Sequence, residues 1–345
     1  MTRSRFLVLS LTIFLALGAA ATLSAQEKEV QPITLTYANF PPASTFPCVQ
    51  MERWKEEVEK RTGGKVAIQT FPGGTLLGAP NMFDGVVTGM ADIGNMAMSY
   101  QPGRFPVSEV VDLPLGFPSA KVASLTLYDL IMEKYKPKEF EQVKVLTLFT
   151  CPPSNFMTSK PVKTLADLKG MELRVAGTGT EIVKRLGGTP VAMPQSDTPD
   201  AIQKGVIKGM VSSMEILKDF NFAAYCPYAT VQNMHVVTFA VIMNKDKWNA
   251  LPDDVKKVMD ELSRDQAIWT GTYVDDHIKE ALEWSKENHK LQIFEFPAED
   301  KAKIPELFAP IIEDYLKRAT AAGLPAADIL KDARALMEKY AQEYK

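Results

Sequence analysis

Strand-like and helix-like stretches alternate along this sequence, and each change of period is marked by glycine or proline, so the fold is restricted before any motif is considered. Ile33, Leu35 and Tyr37 are apolar at every second position, as on one face of a strand. The loop at residues 40–47 follows; Ser44 or Thr45 can cap the next helix, Pro47 fits its first turn, and Met51, Trp54 and Val58 form its inner stripe. Gly63 and Gly64 end that helix, Val66 and Ile68 open a second strand, and the glycine-rich loop to Gly78 leads to a helix opened by Pro80. Strand, helix and strand in this order read as a crossover unit, which favours a mostly parallel sheet covered by helices, an α/β fold.

The same grammar places one permanent charge inside a strand. In KTLADLKGMELRVAGTG, residues 163–179, Thr164 can cap a short helical turn through Leu165 and Leu168, and Gly170 ends it. Met171, Leu173 and Val175 then alternate with Glu172, Arg174 and Ala176, so Arg174 lies on the pleat opposite the apolar set. The guanidinium is planar and forked, and a carboxylate can accept two parallel hydrogen bonds from it, which lysine cannot reproduce. Two readings stand on spacing alone: an ion pair within the protein, or a site for an external anion.

Distant parts of the sequence suggest two similar halves. GVVTGM at residues 85–90 and GVIKGM at residues 205–210 each run from a helix end through glycine into a short apolar strand. Farther on, a helical stripe starts at Val255, passes Leu262, Trp269 and Tyr273, and reaches Leu282, predicting one helix to about Asn288. From Pro305 onward the pattern is of amphipathic packing helices.

Composition and the N-terminus set the cellular context. Arg3 and Arg5 precede an apolar run at residues 6–21, broken only by Ser10, Thr12 and Gly18, with small residues at Ala21 and Ala25, the pattern of a secretory signal. Cleavage after Ala21 and after Ala25 are both open, and the run is at the lower length limit of a membrane anchor. The roughly 320 residues that follow suffice for two lobes of ordinary domain size. A net charge of −3 provides no basic field for nucleic acid. Cys48, Cys151 and Cys226 are too few and too widely spaced for a disulfide framework or a metal site, and buried free thiols are expected.

Catalytic equipment is sparse. His235, His277 and His289 stand in no metal-ligand spacing, and neither a GxSxG elbow nor a GxxxxGK[ST] loop is present. The sequence therefore predicts no metal, no cofactor and no enzyme, with catalysis by carboxylates alone as the remaining enzymatic alternative.

In order and spacing, ITLTYA (33–38), EVEKRTGGKV (57–66), FPGGTLLG (71–78), GMADIG (89–94), VDLPL (111–115), LADLKGMELRV (165–175) and MNKDKWNALP (243–252) resemble the extracytoplasmic solute-binding subunits of TRAP transporters, the dicarboxylate-type (DctP) family. The resemblance implies two α/β lobes around a ligand cleft, crossing hinge strands, and a long helix bracing both lobes. It divides the protein into a signal peptide at 1–25, a first lobe at 30–150 plus 241–280, and a second at 151–240 plus 281–345. It also implies a periplasmic protein that passes an organic acid to an integral-membrane permease, with Arg174 as the clamp on the acid's carboxylate. A ligand sensor presenting the same complex to a receptor is the other non-enzymatic reading.

The segments that the resemblance brings to the cleft supply Phe40, Phe46, Tyr100, Phe156, Met157 and Phe239 as lining or as ordinary core. Asn155, Ser212, Ser213 and Asn233 are candidate polar contacts, and Asn244 either orients the acid or satisfies a turn. The sialic-acid branch of the family has a second arginine in the segment equivalent to Ser154 and Asn155 and an asparagine in the place of Ser212; both are absent here. The expectation is a monocarboxylate with a bulky apolar or aromatic body, such as an indole or phenyl 2-oxo or amino acid. A C4-dicarboxylate and a sugar acid are the alternatives.

Overall fold

Two sheets organise the computed structural model, which describes residues 31–344; the expected signal peptide lies outside the described residues. The strands of the first half are β1 (Ile33–Asn39), β2 (Val66–Phe71), β3 (Ile93–Ala97), β4 (Val143–Thr150) and β5 (Asn155–Thr158). Those of the second are β6 (Glu172–Val175), β7 (Thr189–Ala192), β8 (Gly209–Ser212), β9 (Tyr228–Val231), β10 (Thr238–Asn244) and β11 (Gln292–Glu295). The first sheet has the order β2-β1-β3-β10-β4 and the second β11-β9-β5-β8-β6-β7.

The two orders are the same design used twice. In each, a parallel trio (β2-β1-β3, β7-β6-β8) is followed by an antiparallel strand contributed from across the molecule, β10 in the first sheet and β5 in the second. The backbone thus passes from β4 to β5 and returns from β9 to β10. The two crossing segments lie against each other: the Cys151 amide donates to the Val237 carbonyl at 3.0 Å, Ser154 to His235 at 2.7 Å, and Met234 to Ser154 at 2.9 Å.

The repeat seen in the sequence is real but out of register by four residues. Gly89 and Gly205, not Gly85 and Gly205, are the equivalent positions. Each has a positive φ (78° and 70°), its amide donates to the carbonyl three residues back, and the next amide donates to the one five back. That is the glycine-terminated helix end, which requires the left-handed conformation.

The first helix, Phe46–Arg61, buries Met51, Trp54 and Val58 as its stripe predicts. Thr45 sits at its N-cap position, but its hydroxyl donates to the Pro42 carbonyl rather than capping. The long helix is continuous over Asp253–His289. Its first half packs on Phe46–Arg61, Ala120–Tyr128 and β4, and its second half reaches the short helix Ile216–Asp219 below the second sheet. Midway, a Cβ on Gly271 would stand 2.6 Å from the Lys121 Cα, and one turn later the Asp275 carboxylate accepts the Ala120 and Lys121 amides at 2.8 and 3.0 Å, closing the N-terminus of that helix.

One part of the expected division needs correction. β11 joins the second sheet, but the last helix, Ala326–Glu343, packs on Ala120–Tyr128 at the first. Its Asp332 pairs with Lys134 at 2.6 Å, and its Tyr340 hydroxyl accepts from Arg264 at 2.8 Å. An amphipathic stripe states that a face is buried, not which surface buries it. The return strand begins at Thr238, three residues before the expected lobe boundary at 241.

Candidate functional site

Arg174 is held in place from both sides of its strand. Asp167, at the foot of the preceding turn, accepts the Lys163 and Thr164 amides at 2.9 Å each, which fixes the entry to β6. β6 then runs between β7 and β8, with Arg174 opposite Val191 on one side and Met210 on the other. Leu173 and Val175 are fully buried, and Arg174 is only 2% exposed although it lies on the other face. A buried guanidinium needs acceptors. Nε donates to the Met193 carbonyl at 3.1 Å, one terminal nitrogen to Gln195 Oε1 at 2.6 Å, and the other to the Tyr100 hydroxyl at 3.1 Å. All three are neutral, so the charge itself is uncompensated by these bonds.

Tyr100 makes this an inter-lobe arrangement. It follows β3 in the first lobe, and its hydroxyl oxygen also accepts the Gln195 amide of the second lobe at 2.9 Å. Close approach is possible because Gly177, with φ of 51°, carries no Cβ; one placed there would stand 2.8 Å from the Ser99 Cβ.

Arg174, Tyr100 and Gln195 line a narrow cavity of about 50 Å³. Its apolar wall is Phe40, Phe46, Phe239 and Phe220. Phe40 meets Tyr100 edge-on at 5.6 Å, and Phe239 stacks on Phe149 at 5.2 Å with Phe46 edge-on to both. Cys151 also lines it; burial pushes its thiol up to about 12, and its sulfur accepts the Val237 amide. All three cysteines are free and buried.

The remaining wall is acidic. Ser212, the last residue of β8, and Ser213 after it lie at the cavity, and Ser213 Oγ donates to Glu215 Oε1 at 2.6 Å. Glu215 is 1% exposed, and burial pushes its carboxyl up to about 7. Asp219, one turn on, also lines the cavity and accepts from His277 Nε2 of the long helix at 2.7 Å. That bond raises His277 above the ordinary histidine value.

A larger groove of about 650 Å³ also runs between the lobes, past Ser99, Asp112, Gly177 and Arg318. Its Arg318 is already paired with Glu109 and Asp314. The smaller cavity joins a buried cation to aromatic walls, and on that chemical ground it is the candidate site.

The structure brings together Arg174, Phe40, Phe46, Tyr100, Ser212, Ser213 and Phe239 from the sequence candidates. It places the others elsewhere. Asn155 is spent on the hinge: its Oδ1 accepts the Gln232 and Asn233 amides at 2.6 and 2.7 Å, and its Nδ2 donates to Pro153 and to Asn233 Oδ1. Asn233 itself occupies the left-handed turn, with φ of 48°. Phe156 packs on Phe296, and Met157 lies in the apolar cluster beneath the second sheet. Asn244 caps Lys245–Ala250 by accepting the Lys247 amide and donates to Val86 and Val87 carbonyls. Gln195, Glu215 and Asp219 are not among the sequence candidates; Gln195 and Glu215 each lie three residues beyond the end of a strand that pairs with β6, and Asp219 follows one turn after Glu215, in loops and a short helix where no periodicity marks a face.

The sequence model of bacterial extracellular solute-binding protein family 7 (DctP) matches residues 37–318. A TRAP periplasmic solute-binding protein of Desulfovibrio salexigens DSM2638 is 53% identical, with 91% of this sequence and 98% of that one covered at a TM-score of 0.82; it was solved as an open complex with the C-terminus of a symmetry mate in its ligand-binding site. A TRAP solute-binding protein of Rhodoferax ferrireducens T118 with copurified benzoate superposes at a TM-score of 0.86, with 27% identity and coverage of 91% and 100%. The C4-dicarboxylate-binding protein DctB of Bacillus subtilis strain 168 is 24% identical over 267 residues, 76% of each protein. With the matched region spanning nearly all of the two-lobed unit, the protein belongs to the DctP family of TRAP-type extracellular solute-binding proteins.

Proposed function

We propose that this protein captures an aromatic or similarly bulky monocarboxylate in the periplasm and delivers it to a TRAP permease in the membrane. The observation that carries the ligand class is Arg174, buried at 2% exposure, holding only neutral acceptors and facing a cavity walled by phenyl rings. The guanidinium has five N–H donors, so further donors remain for a carboxylate, and burying a ring against Phe40, Phe46 and Phe239 removes apolar area worth roughly 25 cal/mol per Å².

The comparisons support both halves of the ligand. The Desulfovibrio relative accommodates the C-terminus of a neighbouring molecule, and a polypeptide ends there in a carboxylate; the Rhodoferax relative holds benzoate. A C4-dicarboxylate, the ligand named for the Bacillus relative, would bring its second charge toward Glu215 and Asp219, where like charges repel in a poorly solvated space. A sugar acid would set hydroxyls against the phenyl wall without partners.

Transport follows from geometry. A ligand that touches Arg174 in one lobe and Phe40 or Phe239 in the other gains all its contacts only when the lobes close, so it shifts an open-closed equilibrium that the permease reads. The export signal at residues 1–25 agrees with a periplasmic site of action.

A thermal-shift panel tests the ligand class. Phenyl and indole acids are expected to raise the melting temperature in a concentration-dependent way. Stabilisation by dicarboxylates or sugar acids, with none by aromatic acids, overturns this reading while leaving family membership intact.

A further inference from the structure

The cavity's acidic wall is not explained by a carboxylate ligand alone. Glu215 Oε1 is satisfied by Ser213 and Asp219 Oδ1 by His277, but Glu215 Oε2 and Asp219 Oδ2 are buried without a hydrogen-bond partner among the described residues. The Asp219 side chain is 4% exposed and the whole Glu215 residue 1%. Both residues line the same cavity as Arg174. An unpartnered buried carboxylate oxygen is costly, and two of them four residues apart on one helical turn repel each other. His277 answers only one of the four oxygens.

Resting on the monocarboxylate reading of the site, we infer that the ligand also carries a protonated amine, which meets the free oxygens of Glu215 and Asp219 while its carboxylate meets Arg174. The ligand is then a zwitterion, an aromatic amino acid rather than its 2-oxo or unsubstituted counterpart. A carbonyl oxygen at that position would face acceptors, whereas an ammonium has three donors for them. An ammonium also draws the raised Glu215 carboxyl back toward its ionised form. Charge balance improves as well: guanidinium meets carboxylate, and the ammonium offsets one of the two acidic charges.

The test is calorimetry on the intact protein, freed of copurified ligand by unfolding and refolding, with three acids of one skeleton: 3-phenylpropionate, 3-phenyllactate and L-phenylalanine. Binding of L-phenylalanine at least about tenfold tighter than either other acid is expected, the scale of one hydrogen bond to a charged group. Glu215→Gln and Asp219→Asn should each erode that preference. Equal or tighter binding of 3-phenylpropionate or 3-phenyllactate overturns the inference but leaves the aromatic-acid site standing. If none of the three binds, the site reading fails with it. Stabilisation by calcium or sodium chloride alone, lost in Glu215→Gln, would assign the two carboxylates to a metal ion and overturn the amine. The wild-type comparison needs no variant, so a misfolded substitution does not decide the outcome.

Discussion

Replacing Arg174 by Ala should weaken ligand binding by about 2–5 kcal/mol, since it strips one partner from a buried charge pair. Arg174→Lys should fall on the same side, because an ammonium cannot serve Met193, Gln195 and a carboxylate in one plane. Unchanged calorimetric affinity in a folded Ala variant would rule out the clamp. The placement of Arg174 is legible in the sequence because Glu172, Arg174 and Ala176 alternate with an apolar set, while its role as a clamp is implied by the family resemblance and not by spacing; its partners are not legible, because loops have no period. Tyr100 and the phenyl residues announce only that they are apolar, and the sequence alone does not separate Phe239 at the cavity from Phe156 in the core. A second residue makes a pH prediction. Asp112 is buried beside the return strand, where its carboxylate accepts the Thr238 amide at 3.0 Å, and burial pushes it from 3.8 up to about 8. The folded state therefore keeps a proton that the unfolded state has lost, so stability falls as pH rises from 3.8 and the loss is complete near 8. His277, also raised, acts with the same sign above its unfolded value. His235, lowered to about 4 by burial, acts oppositely but only below 6.5. Between pH 6.5 and 8, then, Asp112→Asn, which keeps an acceptor for Thr238, should flatten the fall in melting temperature seen in the wild type. Parallel curves for the two proteins would assign the proton elsewhere.

At the scale of elements, the helix-to-strand alternation is readable because amphipathic stripes and glycine-terminated helices are local signals; the pairing of elements is not. The long helix can be drawn nearly to its end residue from its stripe, yet nothing local tells that Ala326–Glu343 returns to the first lobe, or that the repeat is offset by four. Asn155 shows the same limit: a buried asparagine beside a cleft reads as a ligand contact until its carbonyl is found holding two amides of the opposite hinge segment. Asn155→Ala should therefore leave Gln232 and Asn233 amides unpaired and destabilise the fold by about 1–3 kcal/mol. Denaturant titration measures this, and a loss confined to ligand affinity would return Asn155 to the binding site. Gly271→Ala is a second test of element contact. Alanine is worth about 1 kcal/mol over glycine in a free helix, but here its Cβ meets the Lys121 backbone at 2.6 Å. Overpacking of about 1–3 kcal/mol outweighs that gain, so the net effect should be destabilising. A stabilised Gly271→Ala protein would mean that the long helix and Ala120–Tyr128 can slide apart at little cost.

The whole molecule is two copies of one sheet design joined by two crossing segments and a brace, and its motion follows from where those joints are. The crossing segments are paired to each other through backbone hydrogen bonds, so they bend together, while the long helix grips both lobes and limits the direction of bending. Across the cleft, by contrast, the lobes meet through a few removable contacts: the Tyr100 hydroxyl with Arg174 and the Gln195 amide, and Ser44 Oγ donating to the Asp219 carbonyl at 3.3 Å. The two neutral bonds contribute about 1 kcal/mol each and the bond to the guanidinium about 1.5–3 kcal/mol, so the unliganded protein is expected to exchange between open and closed forms. A ligand bridging Arg174 and the phenyl wall adds to the closed form alone, and at about one hundred times its dissociation constant it stabilises that form by about 2.7 kcal/mol. Saturating ligand should thus lower the radius of gyration in solution scattering and raise the melting temperature together. Tyr100→Phe removes the acceptor shared by Arg174 and Gln195, so the free variant should scatter as a more open molecule than the free wild type and should compact by a larger amount on binding. If the free wild type, the free Tyr100→Phe protein and the liganded wild type all share one radius of gyration, lobe closure is not how this protein reports its ligand, and the permease must instead recognise a surface that the bound acid changes without moving the lobes.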